Sequence, residues 1–165
     1  MKNHIFIKNK INNFNEKIKV SSDKSISIRS ILLASQSVGI SKISNLLESE
    51  DVLNTLRTIK KLGINYYKKK KIYYIEGYGL NGFNIKKKTI INCGNSGTLA
   101  RLILGLLVKT KKKIKLIGDK SLSKRDFSRV IKPLNLFGVQ IKSRNGILPL
   151  ELNGSELLRP IRFLE

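Results

Sequence analysis

Two stretches of this chain, DVLNTLRTIKKLGI from Asp51 and DFSRVIKPLNLFGV from Asp126, are versions of one pattern set 75 residues apart. Leu56 matches Ile131, Ile59 matches Leu134, Leu62 matches Phe137, and each stretch ends in Gly and a β-branched residue. Upstream, DKSISIRSIL from Asp23 and NSGTLARLIL from Asn95 align 72 residues apart, pairing Ser25 with Gly97 and Arg29 with Arg101. Self-similarity at a fixed spacing means that one supersecondary unit has been used twice, each copy burying an apolar face against its neighbour. About three such units are commonly needed for stability. Two are present, with a leading strand before them and a loose end, LRPIRFLE, after them. The chain reads as cut short.

Periodicity assigns the same elements to both copies. In the first, a strand near Ile18 to Val20 precedes a helix from about Ser25. A strand around Ile43 follows, then a helix with the stripe Val52, Leu56, Ile59 that stops at Gly63 as a left-handed cap. The strands INYY and IYYI close the unit. In the second, TIINC leads to a helix from about Gly97 that is apolar nearly all round and so predicted to be buried. KIKLIG is the next strand, the helix from about Arg125 carries Phe127, Val130, Ile131 and Leu134, and VQIKS and LPLEL finish. The order is β-α-β-α-β-β, twice.

An apolar content of 41% over 165 residues supports a packed core rather than disorder. The longest apolar run, Leu102 to Val108, lies between Arg101 and Lys109 and falls far short of the roughly 20 residues that span a bilayer. MKNHIFIKNK at the start is broken by charges and lacks the apolar centre of a signal peptide, so a soluble cytoplasmic protein is the expectation. The single cysteine, Cys93, excludes an internal disulfide and reads as a small buried apolar residue. With one histidine, His4, zinc is not expected.

A formal charge of +22 raises nucleic acid as a partner. The excess, however, sits in lysine tracts at 68–71, 86–88 and 111–113, between predicted elements. Cations that hold nucleic acid come interleaved with aromatic residues or arginine on one face, and these tracts read as solvated turns. Charge alone therefore assigns no nucleic-acid partner.

Three polar junctions remain. In VSSDKSISIRSILLAS, Lys24, Ser25 and Arg29 stand where a strand-like end enters a helix, with no acid evident to pair the cations. Ser25 and Arg29 are four residues apart and share a face, and helical side chains lean toward the N-terminus, so Arg29 can reach back over unpaired N–H groups. That arrangement suits a phosphate or carboxylate. The same residues read equally well as solvated cations with Ser25 as a cap. CGNSGTLAR is a glycine-containing turn into a helix, in which Gly94 and Gly97 permit close backbone approach, but it matches neither a Walker loop nor a dinucleotide fingerprint. GDKSLSKRDF again places cations, Lys124 and Arg125, at a predicted helix start.

SSDKSISIR, SEDVLNTLRTIKKLGI, NCGNSGTLARLILGLL, GDKSLSKR and PLNLFGVQI, in this order and spacing from about Val20 to Ile161, resemble the 5-enolpyruvylshikimate-3-phosphate synthases. The resemblance implies an inside-out α/β barrel of six β-α-β-α-β-β units, three in each of two domains that close around the substrates. Two of the six are present. Residues 1–16 would be a leading strand segment belonging to the second domain, 17–157 the two units, and 158–165 the start of a third, so that the chain is an N-terminal fragment. The implied ligands are shikimate 3-phosphate at Lys24, Ser25 and Arg29, and phosphoenolpyruvate at Lys24, Asn95, Gly97, Thr98 and Arg125. In such an enzyme the 5-hydroxyl of shikimate 3-phosphate adds to C2 of phosphoenolpyruvate as C3 is protonated, and the tetrahedral intermediate expels phosphate. The resemblance implies no metal or organic cofactor, no membrane, and a monomeric full-length enzyme. Its acid and base come from residues outside this stretch, so turnover by the chain alone is expected to be poor.

The chain departs from the family pattern at Ser21 and Ser22, usually Pro-Gly, at Ile28, usually His, and at Asp126 and Phe127, usually Pro-Met after the arginine. Asp126 sets a negative charge beside Arg125, which either weakens an anion site or complements a helix N-terminus. The related UDP-N-acetylglucosamine enolpyruvyl transferases share the repeat fold and are the second reading by resemblance, although D-K-S-I-S and G-N-S-G-T are not expected in them. A basic nucleic-acid-binding module and a two-unit structural protein are the readings from other classes.

Overall fold

The computed structural model describes residues 20–86 and 88–163, together with residues 8, 13, 15, 17 and 18. Most of the segment 1–16 thus lies outside the described residues. Helix α1 (Lys24–Gln36), strand β1 (Val38–Ser44), helix α2 (Glu50–Lys61) and strands β2 (Asn65–Lys69) and β3 (Ile72–Tyr78) form the first half. The second half runs through β4 (Thr89–Asn92), α3 (Gly97–Leu106), β5 (Ile114–Ile117), a 3₁₀ turn at Leu122–Lys124, α4 (Ser128–Phe137), β6 (Gln140–Arg144) and β7 (Ile147–Asn153).

The first sheet has the order β1-β3-β2 and is antiparallel throughout. The second has the order β4-β5-β7-β6, with β4 parallel to β5 and the other pairs antiparallel. Strands β1-β3-β2 and β5-β7-β6 are therefore arranged alike. The two sheets stay open and form no closed barrel among the described residues. None of the described helices is long and apolar enough to cross a membrane.

Alternation along the strands sends Ile75 of β3, Ile91 of β4, Leu116 of β5 and Leu150 of β7 inward. They meet Ile28 and Ile31 of α1, Val52, Leu56 and Ile59 of α2, Leu99 and Ile103 of α3, and Ile131 of α4. Each such side chain contributes about 1.5–3 kcal/mol on burial, so this shared core fixes where the helix ends lie. The stripe expected on α2 is the face found; on α4, Ile131 is buried and Val130 and Leu134 pack partly against the core, while Phe127 is buried ahead of the helix.

Four local expectations need correction. The strand at Ile18 to Val20 is not formed at Ile18 or Val20, which are 71% and 77% exposed; Lys19 lies outside the described residues. Helix α1 is capped by Asp23, not Ser25: the Asp23 carboxylate accepts a hydrogen bond from the Ile26 amide at 2.6 Å. Helix α3 is not buried all round, since Leu102 and Gly105 are exposed on its outer side. Finally, α4 begins at Ser128. Arg125 is extended (φ −81°, ψ 142°) because the Phe127 amide donates to Gly146 O at 2.8 Å and the Ser128 amide to Asp126 Oδ1 at 2.8 Å, which sets the first turn beyond Phe127.

Candidate anion-binding site at the helix N-termini

At the mouth of α1, Asp23 and Ser27 set the entry. Asp23 O accepts from the Ser27 amide at 3.1 Å and from its hydroxyl at 2.7 Å, and the buried Ser27 hydroxyl in turn accepts from the Leu47 amide at 3.1 Å. That ties the start of α1 to the approach of α2. The consequence is an ion pair absent from the sequence reading: Lys24 Nζ lies 2.9 Å from Asp51 Oδ2, with the lysine side chain half exposed and the aspartate mostly buried. Asp51 sits in the first turn of α2, where its charge also complements the helix dipole.

One turn along α2, Asn54 shares the face of Asp51. Its amide fills the space beside Gly94, where an added Cβ would collide with Asn54 Nδ2. Gly94 has φ +56°, a left-handed conformation that few other residues take cheaply. Its amide is held by Asn92 Oδ1 at 2.9 Å, and its carbonyl accepts from the Asp119 amide at 2.9 Å. The turn therefore delivers Ser96 to the N-cap of α3, where its hydroxyl accepts from the Leu99 amide at 3.2 Å.

The 118–125 segment is seated against this turn by Leu122, fully buried and packed against the places that Cβ atoms on Gly97 and Gly118 would occupy. Arg125 follows, and its Nη2 donates to Asn95 Oδ1 at 2.6 Å. A Cβ on Gly97 would stand 2.7 Å from Arg101 Nη1 and 3.0 Å from Arg125 Nη1, so two guanidinium groups converge on the first residue of α3. Arg101 is spent on the fold: it lies 4.9 Å over the Phe127 ring and donates to Asp126 O at 3.2 Å. Asp126 does not pair with Arg125. Hydrogen bonds from the Ser128 hydroxyl and amide hold its carboxyl below the usual range, with Lys132 and Arg129 adding to the effect. It thus serves the N-terminus of α4.

Contacts run without a break from Lys24 through Asp51, the Asp51–Asn54 turn, Gly94 and Asn95 to Arg125 and Gly97. Ser25 and Thr98 are half-buried and Arg29 is exposed; their side chains make no hydrogen bond or ion pair with the described residues. Asp51, Asn54, Ser27 and Arg101 were missed as parts of this junction. The signal for Asp51 was present, since it opens the repeated stretch, but nothing in its spacing from Lys24 announced the pair. Two cavities, of about 320 and 260 Å³, lie elsewhere: one on the second sheet around Ile90, Lys115 and Lys142, the other beside Phe83 and Leu107, at the opposite end of α3.

Residues 8–163 match the family model of EPSP synthase (3-phosphoshikimate 1-carboxyvinyltransferase). The 3-phosphoshikimate 1-carboxyvinyltransferases of Ruthia magnifica subsp. Calyptogena magnifica and Vesicomyosocius okutanii subsp. Calyptogena okutanii are 44% and 43% identical over 158 and 159 residues, which is 96% of this chain and 36% of each of those proteins. A solved EPSP synthase structure from Acinetobacter baumannii superimposes with a TM-score of 0.81 at 35% identity, over 90% of this chain and 34% of that one. The chain spans about a third of the length of the relatives it matches.

Proposed function

This chain belongs to the EPSP synthase family, and from that premise we propose that the helix N-termini form the anion-binding side of a carboxyvinyl transferase site. Lys24, Ser25 and Arg29 take shikimate 3-phosphate. Lys24, Asn95, Gly97, Thr98 and Arg125 take phosphoenolpyruvate. The observation that carries this reading is that Lys24 and Arg125, far apart in sequence, are oriented by neutral or acidic neighbours on one continuous chain of contacts. Both substrates are multiply anionic, so cations fixed in advance lower the cost of bringing them together and stabilise charge as it moves in the transition state.

The described carboxylates here are all engaged. Asp23, Asp119 and Asp126 accept from backbone amides, and Asp51 is paired with Lys24. None stands ready to carry a proton to C3 or from the 5-hydroxyl, so the acid and base are contributed from beyond these residues. In the same reading, residues 17–157 are two of six β-α-β-α-β-β units of an inside-out barrel, 1–16 belong with a second domain, 158–165 open a third unit, and the full enzyme is a cytoplasmic monomer.

Amide chemical shifts test the assignment. Shikimate 3-phosphate should move the signals of residues 24–29, and phosphoenolpyruvate those of 95–98 and 125. Shifts confined to the cavity around Ile90, Lys115 and Lys142 would overturn it.

A further inference from the structure

The outer face of the first sheet holds a feature that the helix N-termini do not use. Alternation turns Tyr66, Tyr73 and Ile75 toward the core and Lys42, Tyr74 and Tyr67 away from it. These last three lie in one cross-strand row, Lys42 opposite Tyr74 and Tyr74 opposite Tyr67. The two rings are stacked, with centroids 4.7 Å apart and planes within 4°. Lys42 Nζ covers Tyr74 at 5.9 Å from its centroid. The result is a column of cation, ring and ring. Its free end is Tyr67, 55% exposed on the edge strand β2, with no further strand beside it among the described residues. Lys69 and Ile72 occupy the next row, and Lys70 and Lys71 form the adjoining turn.

We infer that this face is a stacking platform for single-stranded nucleic acid. A base laid on the open face of Tyr67 extends the column, and every base has a π-face to offer. The phosphates then run past Lys69, Lys70 and Lys71 on a molecule of charge +22 that attracts a polyanion from a distance. A duplex keeps its bases inside and cannot use the ring. A lipid surface is disfavoured because Glu76 and Asn65, hydrogen bonded at 3.4 Å, occupy the row beside the tyrosines and would have to leave water. In sequence the tract at 68–71 reads as a solvated turn; pairing of β1 with β3 and of β2 with β3 puts Lys42, Tyr74 and Tyr67 on one face.

The chain has no tryptophan, and all five tyrosines lie between residues 66 and 78, so its intrinsic emission reports on β2 and β3 alone. An oligouridine of about twelve nucleotides, within the usual site sizes, is the probe. Expected results are quenching of tyrosine emission, an affinity that falls with salt, about tenfold weaker binding in Tyr67→Ala, and retention in Tyr67→Phe. Saturating shikimate 3-phosphate should leave the quenching unchanged, because Lys24 and Arg29 are not part of the platform. Four results would overturn the inference: no binding, binding seen by anisotropy of labelled oligouridine without quenching, unchanged affinity in Tyr67→Ala, or competition by shikimate 3-phosphate. A change of emission with phosphatidylserine vesicles but not with oligouridine would also overturn it, and would give the face to lipid.

Discussion

Lys24 is held in place before any ligand arrives, at 2.9 Å from Asp51, while the exposed Arg29 has no such partner among the described residues. The two cations therefore act differently: one is an aimed point charge, the other a planar fork free to close on an oxyanion. In the proposed site each is assigned a charge-assisted contact to the phosphate, and loss of such a contact costs about 2 kcal/mol. In the complete enzyme, Lys24→Met or Arg29→Ala should weaken shikimate 3-phosphate binding by roughly thirtyfold in a calorimetric titration; an unchanged dissociation constant would remove that residue from the site. Gly97→Ala probes the other ligand. The new Cβ meets the far ends of Arg101 at 2.7 Å and Arg125 at 3.0 Å, so both guanidinium groups must shift. Phosphoenolpyruvate affinity should fall about tenfold, the effect of roughly 1.4 kcal/mol, and urea unfolding reads separately the stability lost as Arg101 shifts off Phe127 and Asp126. The sequence displayed the basic residues of this site but hid what orients them. Asp51 and Asn95 act through folded proximity, which no local spacing encodes.

Helix ends show which local signals survive folding. Gly63 was legible as a stop because a left-handed residue after an apolar stripe has few alternatives, and Gly138, its counterpart in the repeat, ends α4 in the same way; both have positive φ, and the next amide bonds back to Ile59 O and Leu134 O at 3.0 Å. Helix starts were less legible. Asp23, Ser25, Ser27 and Arg125 all sit near a start, and the choice among them was made by distant groups, the Leu47 amide for Ser27 and Gly146 O for Phe127. Two glycines separate these influences. At Gly138, φ is +114° and a Cβ would stand 2.7 Å from Leu157 O, a backbone atom with little freedom to move. At Gly105, within α3, a Cβ meets nothing within 4 Å. Urea unfolding should therefore show Gly138→Ala destabilised by more than about 1 kcal/mol and Gly105→Ala stabilised by about 0.5–1 kcal/mol. Equal effects would mean that α4 does not end on a left-handed residue.

Across the whole molecule, the repeat made the architecture readable because two copies of one pattern must satisfy the same packing, and the shared order of β1-β3-β2 and β5-β7-β6 is its physical expression. The exposed tyrosine column was not readable, since it depends on cross-strand register. The core offers a global probe in Cys93, whose thiol burial pushes from 9.0 up to about 12. The folded state then binds the proton more tightly than the unfolded one, so this contribution is intact below pH about 9 and is lost as pH rises toward about 12. Stability measured across that window should fall less steeply in Cys93→Ala than in the parent; parallel slopes would show the thiol to be accessible. Function at this scale depends on division of labour. In the proposed reading the anion-binding groups lie at these helix N-termini, where Asp23, Asp51, Asp119 and Asp126 are each committed to an amide or to Lys24. The isolated chain should accordingly bind shikimate 3-phosphate without converting it when phosphoenolpyruvate is added. Phosphate release assayed beside the binding titration decides the matter, and steady formation of enolpyruvyl product would show that the chain itself supplies the acid.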